Sequence, residues 1–376
     1  MKILELADYS AGICGVWARA REESVRLSSE GHEVKVFSSN LTKGNNEIAK
    51  REDKIGKLQI LRFPTKKLGG ESFMSWDFEQ EALKFKPDVI IAHSYRHPHT
   101  LKALKIAKKL KREGKRCKLF LVTHAPFGRS ETRSLISKMV VWYYDKFIAP
   151  RYINKFDKVI AITKWEIPYL LDLGLKRDKI EYIPNGIPEE FFKIKKTGKI
   201  ENKMLFLGRI SPIKGIETAI AAIPLVGDKK MIFEIVGPAE KDYLARLKTL
   251  IRTLGIEKRV IFSGPVYNTK EKIKKIDSAK VFVLPSKSEG MPQGLIEAMA
   301  RGKIVIASNI PASRDLIING KNGFLFKVGD EKELAEKINA SFENTKRNNE
   351  MGKLASMSVK QFKWSKVINK IENLFN

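Results

Sequence analysis

Short apolar runs alternate along this chain with longer stretches whose apolar positions recur every three or four residues. In the first half the runs are KILELA (2–7), EVKVFSS (33–39), LQILRFP (58–64), DVIIAHS (88–94), KLFLVTHA (118–125), KVIAIT (158–163) and IEYIPNG (180–186). In the second half they are KMLFLGR (203–209), MIFEIVG (231–237), RVIFSG (259–264), VFVLPS (281–286), IVIAS (304–308) and GFLF (323–326). Several are unbroken Val, Ile, Leu and Phe without polar alternation. Such strands are buried on both faces, as in a parallel sheet covered by helices. Strand–helix alternation in both halves predicts βαβ units throughout.

The pattern pauses between Asn185 and Glu201, where Pro, Gly and a lysine cluster interrupt it. This predicts an α/β fold of two doubly wound domains: 1–190, a linker at 191–200, and 201–355, followed by a terminal segment at 356–376. A length of 376 residues with 43% hydrophobic content fills two cores of this size. The cleft between two such domains is the expected ligand site. No apolar run reaches the roughly 18 residues of a membrane span. MKILELADYS carries Glu5 and Asp8 in its apolar opening and reads as a first strand rather than a leader. The two cysteines, Cys14 and Cys117, read as reduced thiols of a cytoplasmic protein.

Charge changes the picture. The formal net charge is +28, and residues 101–150 hold 13 Lys or Arg against 3 Asp or Glu. Such a field favours anionic partners: nucleic acid, lipid headgroups or phosphorylated small molecules. No basic motif with interleaved aromatics on a sheet face accompanies it, so nucleic acid is not the expected partner. The window contains an amphipathic helix at 102–118 and runs into SLISKMVVWYYDKFIAPRY (134–152). That segment reads as a helix whose Val140, Val141 and Trp142 face the core. Its lysines leave open a second reading, peripheral contact with an anionic membrane at its inner face.

Candidate chemistry gathers in a few turns. Gly12 and Gly15 lie where the first strand turns into a helix, and glycine there permits close backbone approach to a ligand. The turn is not a G-x-G-x-x-G fingerprint. His93, His97 and His99 cluster without a neighbouring acid or cysteine, so no metal site is expected, and His93 reads as a loop cap. His124 ends a strand and is expected to face the cleft. In LFLGRISPIKGIETAI (205–220), Arg209 and Lys214 share one strand–helix loop, which suits a diphosphate but lacks a Walker sequence. In SKSEGMPQGLIEAMARGKIVIAS (286–308), Glu289 precedes a helix and Glu297 lies inside it. The free amides near Gln293, Gly294 and Leu295 form an anion site between the two carboxylates. Carboxylates accept hydrogen bonds from paired hydroxyls. Ribose, diphosphate and sugar have that layout.

At this point the sequence resembles a known family. EGMPQGLIEAMARGKIVIAS is similar to the signature of the retaining glycosyltransferases of family 4, which have the GT-B fold. GVWARA and EGHEVKVF (15–37), THA (123–125), IPNGI (183–187), LGRI and KGIE (207–217) and NGFLF (322–326) match in order and spacing. Cys14-Gly15 stands where the family usually has Gly-Gly, and Ile304 where it often has proline.

The resemblance implies two Rossmann-like domains facing a central cleft and a terminal helix crossing back to the first. It implies transfer of a hexose-type sugar, with retained configuration, from a UDP- or GDP-linked donor to a sugar- or lipid-linked acceptor. Arg209 and Lys214 would bind the diphosphate, Glu297 the ribose and Glu289 the transferred sugar. Gly208, the run Gly290-Met291-Pro292-Gln293-Gly294-Leu295 and Gly15 would line the donor, and His124 would face the reacting carbon. No cofactor or metal is expected, because the cations and the helix start stabilise the leaving group. An epimerase or a phosphorylase on a similar fold is the competing expectation.

Overall fold

The computed structural model describes residues 1–12, 14–45, 47–69, 73–127, 134–193, 200–343 and 345–376. The chain divides into two compact units, one of Met1–Asn185 with Lys366–Asn376, the other Gly186–Ser365. Residues 194–199 of the expected linker lie outside the described residues.

The first unit is built on an eight-stranded sheet. Its strands are β1 (Lys2–Ala7), β2 (Glu33–Ser39), β3 (Glu52–Ile55), β4 (Leu58–Phe63), β7 (Val89–His93), β8 (Lys118–Val122), β9 (Lys158–Ala161) and β10 (Ile180–Tyr182), while β5 (Thr65–Gly69) and β6 (Phe73–Trp76) form a separate hairpin. The order is β10-β9-β8-β7-β1-β2-β4-β3, parallel except for β3. The chain winds outward from β1 in one direction and from β7 in the other. Ligand groups concentrate beyond the carboxyl ends of strands at such a switch point.

The second unit repeats the plan with six parallel strands: β11 (Lys203–Leu207), β12 (Ile232–Val236), β13 (Val260–Phe262), β14 (Val281–Leu284), β15 (Ile304–Ser308) and β16 (Phe324–Phe326). Their order is β13-β12-β11-β14-β15-β16, so its switch lies between β11 and β14. Residues 281–284 and 304–308 are buried throughout, as unbroken apolar runs require.

All thirteen apolar runs contain strands. β3, β5 and β6 were not expected. β3 is polar and fully exposed, a sheet edge turned through Gly56 at φ 60°, so no buried face writes a pattern into its sequence. The basic helix is Pro98–Arg112 rather than 102–118. Pro98 suits its first turn, and Gly114 at φ 77° turns the chain just beyond its end.

The helix Leu135–Tyr143 overturns a further expectation. None of its residues is buried, and Val140 and Trp142 are exposed rather than core-facing. Leu135, Ile136, Met139 and Tyr143 are exposed with them.

The chain leaves and re-enters the first unit along paired segments. Ile187 N–H donates to the Phe362 carbonyl and Trp364 N–H to that of Ile187. A Cβ on Gly186 would meet the Trp364 ring at 2.1 Å, so only glycine fits there. The final residues then pack on the first unit: Phe375 stacks on Phe120, and His32 meets Glu372 at 3.1 Å. Both cysteines are free, and among the described residues no helix is long and apolar enough to cross a membrane.

Candidate active site

In the second unit the site forms at the β11/β14 switch. β11 runs out at Leu207, and the chain turns through Gly208-Arg209 to the short helix Pro212–Lys214. Gly215, at φ 59°, then starts the helix Ile216–Ala222. A Cβ on Gly215 would lie 2.3 Å from the Pro285 carbonyl oxygen, so the β11 loop lies directly on the β14 loop. Lys287 N–H donates to the Ile213 carbonyl across the same seam. The helix Gln293–Ala300 also presses close, because a Cβ on Gly294 would stand 2.8 Å from the Leu207 oxygen. Two glycines thus bring a lysine-bearing loop against a helix start.

These loops enclose a cavity of about 250 Å³. Gly208, Lys214, Glu289, residues 291–294 and Glu297 line it. Lys214 Nζ donates to Glu289 Oε1 at 2.6 Å, and the Ser286 hydroxyl donates to the same oxygen at 2.7 Å. Glu297 is 6% exposed, and its Oε2 has no hydrogen-bond partner among the described residues. Burial raises its pKa, and Lys272, 3.7 Å from Oε1, opposes that shift only in part. A buried carboxylate oxygen without a partner among the described residues, on a side chain that lines the cavity, is suited to accept from a ligand hydroxyl. The first amides of the helix Gln293–Ala300 have no carbonyl one turn back, and its dipole adds to Lys214.

Three expected residues stand apart. Arg209 is 63% exposed, does not line the cavity and lies 3.8 Å from Glu240, the surface pairing that a lone arginine adopts. The Leu295 side chain is fully buried in the core, and neither it nor Gly290 lines the cavity. Lys272 was missed. It comes from the helix Thr269–Ser278, with no motif around it to mark it.

In the first unit the histidines are not isolated from acids. Asp8 follows β1 and meets His97 Nδ1 at 2.9 Å and His99 Nδ1 at 3.5 Å. Burial alone would raise the Asp8 pKa, but His99 and His97 more than offset this and hold it low. His93 is no loop cap. It ends β7 fully buried, with Nε2 2.8 Å from Glu5 and Nδ1 2.9 Å from His124 Nε2. Glu23 and Arg19, paired at 3.0 Å, lie beside it in the buried helix face. Each triad, Asp8 with His97 and His99 and Glu5 with Glu23 and His93, offers three ligand atoms within 4.8 Å. The acids arrive from β1 and the helix Gly15–Ser29, which the local histidine spacing does not reveal. The short contacts within them are those of acid–imidazole and acid–arginine pairs, and we assign no ion to either.

His124 and Ala125 adopt φ 60° and 51°, an uncommon region for residues with a Cβ. Glu166 holds this turn: it accepts from the Ala125 amide at 3.0 Å and the Thr123 hydroxyl at 2.6 Å. Gly15 is exposed at the start of its helix, and a Cβ there would meet nothing within 4 Å.

The chain is similar to known proteins. Residues 13–191 match the model of Glycosyltransferase Family 4, and residues 188–356 that of Glycosyl transferases group 1. The chain belongs to the group 1, family 4 glycosyltransferases. An uncharacterized glycosyltransferase of Methanocaldococcus jannaschii is 26% identical over 98% of this chain and 96% of its own length. The N-acetyl-alpha-D-glucosaminyl L-malate synthase of Bacillus anthracis is 24% identical over 93% of this chain and 90% of its own. Among solved structures, sucrose-phosphate synthase from Thermosynechococcus elongatus superposes with a TM-score of 0.78 at 19% identity, covering 100% of this chain and 98% of that one. An Anabaena protein in complex with UDP and glucose gives 0.73 at 20% identity, covering 99% and 98%. This glycosyltransferase therefore has the GT-B fold, with two Rossmann-like units.

Proposed function

We propose that this glycosyltransferase moves a hexose-type sugar from a UDP- or GDP-linked donor to an acceptor hydroxyl with retained configuration. The observation that carries the reading is the β11/β14 cavity, which sets a lysine and a helix start between two carboxylates, Glu289 and Glu297. The Anabaena structures, solved with UDP and with UDP-glucose, support a nucleotide-sugar donor. The amides at Gln293 and Gly294 and the Lys214 ammonium take the diphosphate. Glu297 accepts from the ribose hydroxyls and Glu289 from the sugar. Arg209 joins the diphosphate by leaving Glu240, an exposed pair worth little. His124 and Gly15 are the donor contacts proposed for the first unit.

In the reaction the bond from the sugar's anomeric carbon to the phosphate oxygen breaks, and a bond to the acceptor oxygen forms on the same face. The acceptor's proton passes to the departing phosphate. Preorganised donors stabilise the charge that develops there, so no metal is needed. Lys214→Ala is expected to lower kcat by about 10²-fold, the scale of losing one such donor. Unchanged turnover would reject the diphosphate role. Screening UDP- and GDP-sugars for a raised unfolding temperature identifies the donor.

A membrane-linked acceptor is favoured by the helix Leu135–Tyr143. It exposes Leu135, Ile136, Met139, Val140, Trp142 and Tyr143 to solvent, with Lys138, Lys146 and Arg151 exposed beside them. Apolar side chains flanked by cations fit an anionic bilayer surface. Trp142→Ser with Met139→Ser should abolish sedimentation with anionic liposomes and leave the unfolding temperature unchanged. Sedimentation that is equal on neutral liposomes, or unaffected by the substitutions, rejects this surface.

A further inference from the structure

We infer that Glu5, His93 and His124 form a proton relay, in which a carboxyl buried at one end sets whether the imidazole at the other end donates or accepts a hydrogen bond. The inference stands on register. β1 pairs with β7 so that Glu5 lies opposite Ile91, and His93, two residues further, points to the same face. β7 pairs with β8 so that His93 lies opposite Val122, and His124 is again two residues further. The three side chains step across adjacent strands, and the two contacts are 2.8 and 2.9 Å.

The Glu5 and His93 side chains have no exposure, whereas His124 is half-buried. His124 Nε2 is engaged by His93, and its Nδ1 has no hydrogen-bond partner among the described residues.

With Glu5 ionised, its oxygen can only accept, so His93 carries its proton on Nε2. Neutral His93 then has a bare Nδ1, which accepts from His124 Nε2–H. His124 Nδ1 is bare and accepts. A proton arriving from solvent at His124 Nδ1 is passed on in two hops. The Nε2 proton of His124 moves to His93 Nδ1, and the Nε2 proton of His93 moves to Glu5. At the end Glu5 is neutral, both imidazoles are neutral with the proton on Nδ1, and His124 presents a donor. One proton has been added and none lost.

Burial favours this outcome over an imidazolium. It pushes Glu5 up to about 8 and His93 down to about 4, and it holds His124 well below its ordinary value. The groups that face the relay are Arg19 and Glu23 from the helix Gly15–Ser29, Ser24 beside Glu5, and Asp8 and His97. Arg19 opposes protonation throughout, while Glu23 and Asp8 favour it at His93. Where the donor reading of this chain holds, the consequence is that His124 donates toward the sugar at neutral pH. Glu5 and His93 are then positioning residues, acting through His124 without touching the donor.

The test uses the full chain without donor, labelled with ¹⁵N-histidine, and follows the five imidazoles by NMR from about pH 6 to about pH 9. In the wild type, His93 and His124 should exchange which nitrogen is protonated with one shared midpoint, and both should stay neutral. In Glu5→Gln, which keeps the shape but cannot ionise, the exchange should disappear. A second proton on either imidazole in that range overturns the relay, and so does an unchanged His124 response in Glu5→Gln. Should the variant fail to fold, the wild-type titration decides alone. A chain that shows the relay but transfers no sugar defeats the donor reading only. A chain that transfers sugar without the relay defeats this inference only.

Discussion

Lys214 and Glu289, 75 residues apart in sequence, share a 2.6 Å hydrogen bond that closes the β11 loop onto the β14 loop. With 19% and 11% side-chain exposure the pair is largely shielded from water, and Ser286 braces the carboxylate. The ammonium that should meet a diphosphate is therefore held in place by the carboxylate that should meet the sugar.

Replacing Glu289 by Gln separates these roles. The amide still accepts from Lys214, but without charge, so stability should fall by only about 1 kcal/mol. If Glu289 also contacts the transferred sugar, kcat/KM for the donor should fall by at least about tenfold, which is 1.4 kcal/mol of lost transition-state binding. Urea unfolding and initial-rate kinetics measure the two effects. A loss of stability with full activity would assign Glu289 to holding the loops alone.

Glu297→Gln should act in the opposite sense on stability. Its buried Oε2 has no partner among the described residues, and burying an incompletely paired carboxylate costs free energy. Removing the charge should leave the unfolding temperature unchanged or raise it. Nucleotide affinity by calorimetry should drop about tenfold, the scale of one charged hydrogen bond. A site that binds nucleotide equally well after this change does not use Glu297.

Two glycines should respond differently to alanine. At Gly215 the new methyl meets a backbone oxygen and φ is positive, so Gly215→Ala should cost about 1–3 kcal/mol. At Gly15 nothing lies within 4 Å, so Gly15→Ala should unfold as the wild type does. A fall in donor affinity in Gly15→Ala without a change in unfolding would mark close phosphate approach there. Unchanged affinity removes Gly15 from the donor contacts.

Stability should depend on pH through Glu5. Its pKa is about 8 in the fold against 4.5 as the ordinary value, so the folded state binds more protons between the two. The associated stabilisation is complete below 4.5 and is lost as pH rises through about 8. Wild-type urea midpoints should decline across that window, and Glu5→Gln should decline less steeply. Parallel curves would show that Glu5 does not titrate there.

The strands were readable because a strand covered on both faces must be apolar along its length, and runs such as 281–284 and 304–308 follow that rule. β3, β5 and β6 escaped because exposed or hairpin strands need no such run. In the second unit the site was readable for a similar reason. Lys214, Glu289 and the helix that carries Glu297 all belong to the loops and helix that follow the carboxyl ends of β11 and β14, where a doubly wound fold gathers its ligand groups. Arg209 was readable as a position but not as a contact, since an exposed side chain is free to turn to Glu240.

The acid partners of the histidines lay beyond sequence pattern altogether. The sequence alone determined two α/β units, their switch-point loops and the carboxylates and cations those loops carry, because backbone pairing and burial impose local periodicity. Only the tertiary structure decided that Glu5 would reach His93, that Asp8 would sit between His97 and His99, and that Lys272 would stand beside Glu297. Register between distant strands and the packing of one helix on another bring those groups together, and neither leaves a mark in the spacing of neighbouring residues. Solvent exposure of the helix Leu135–Tyr143 was decided in the same way, since an apolar run has the same sequence whether the fold covers it or leaves it bare.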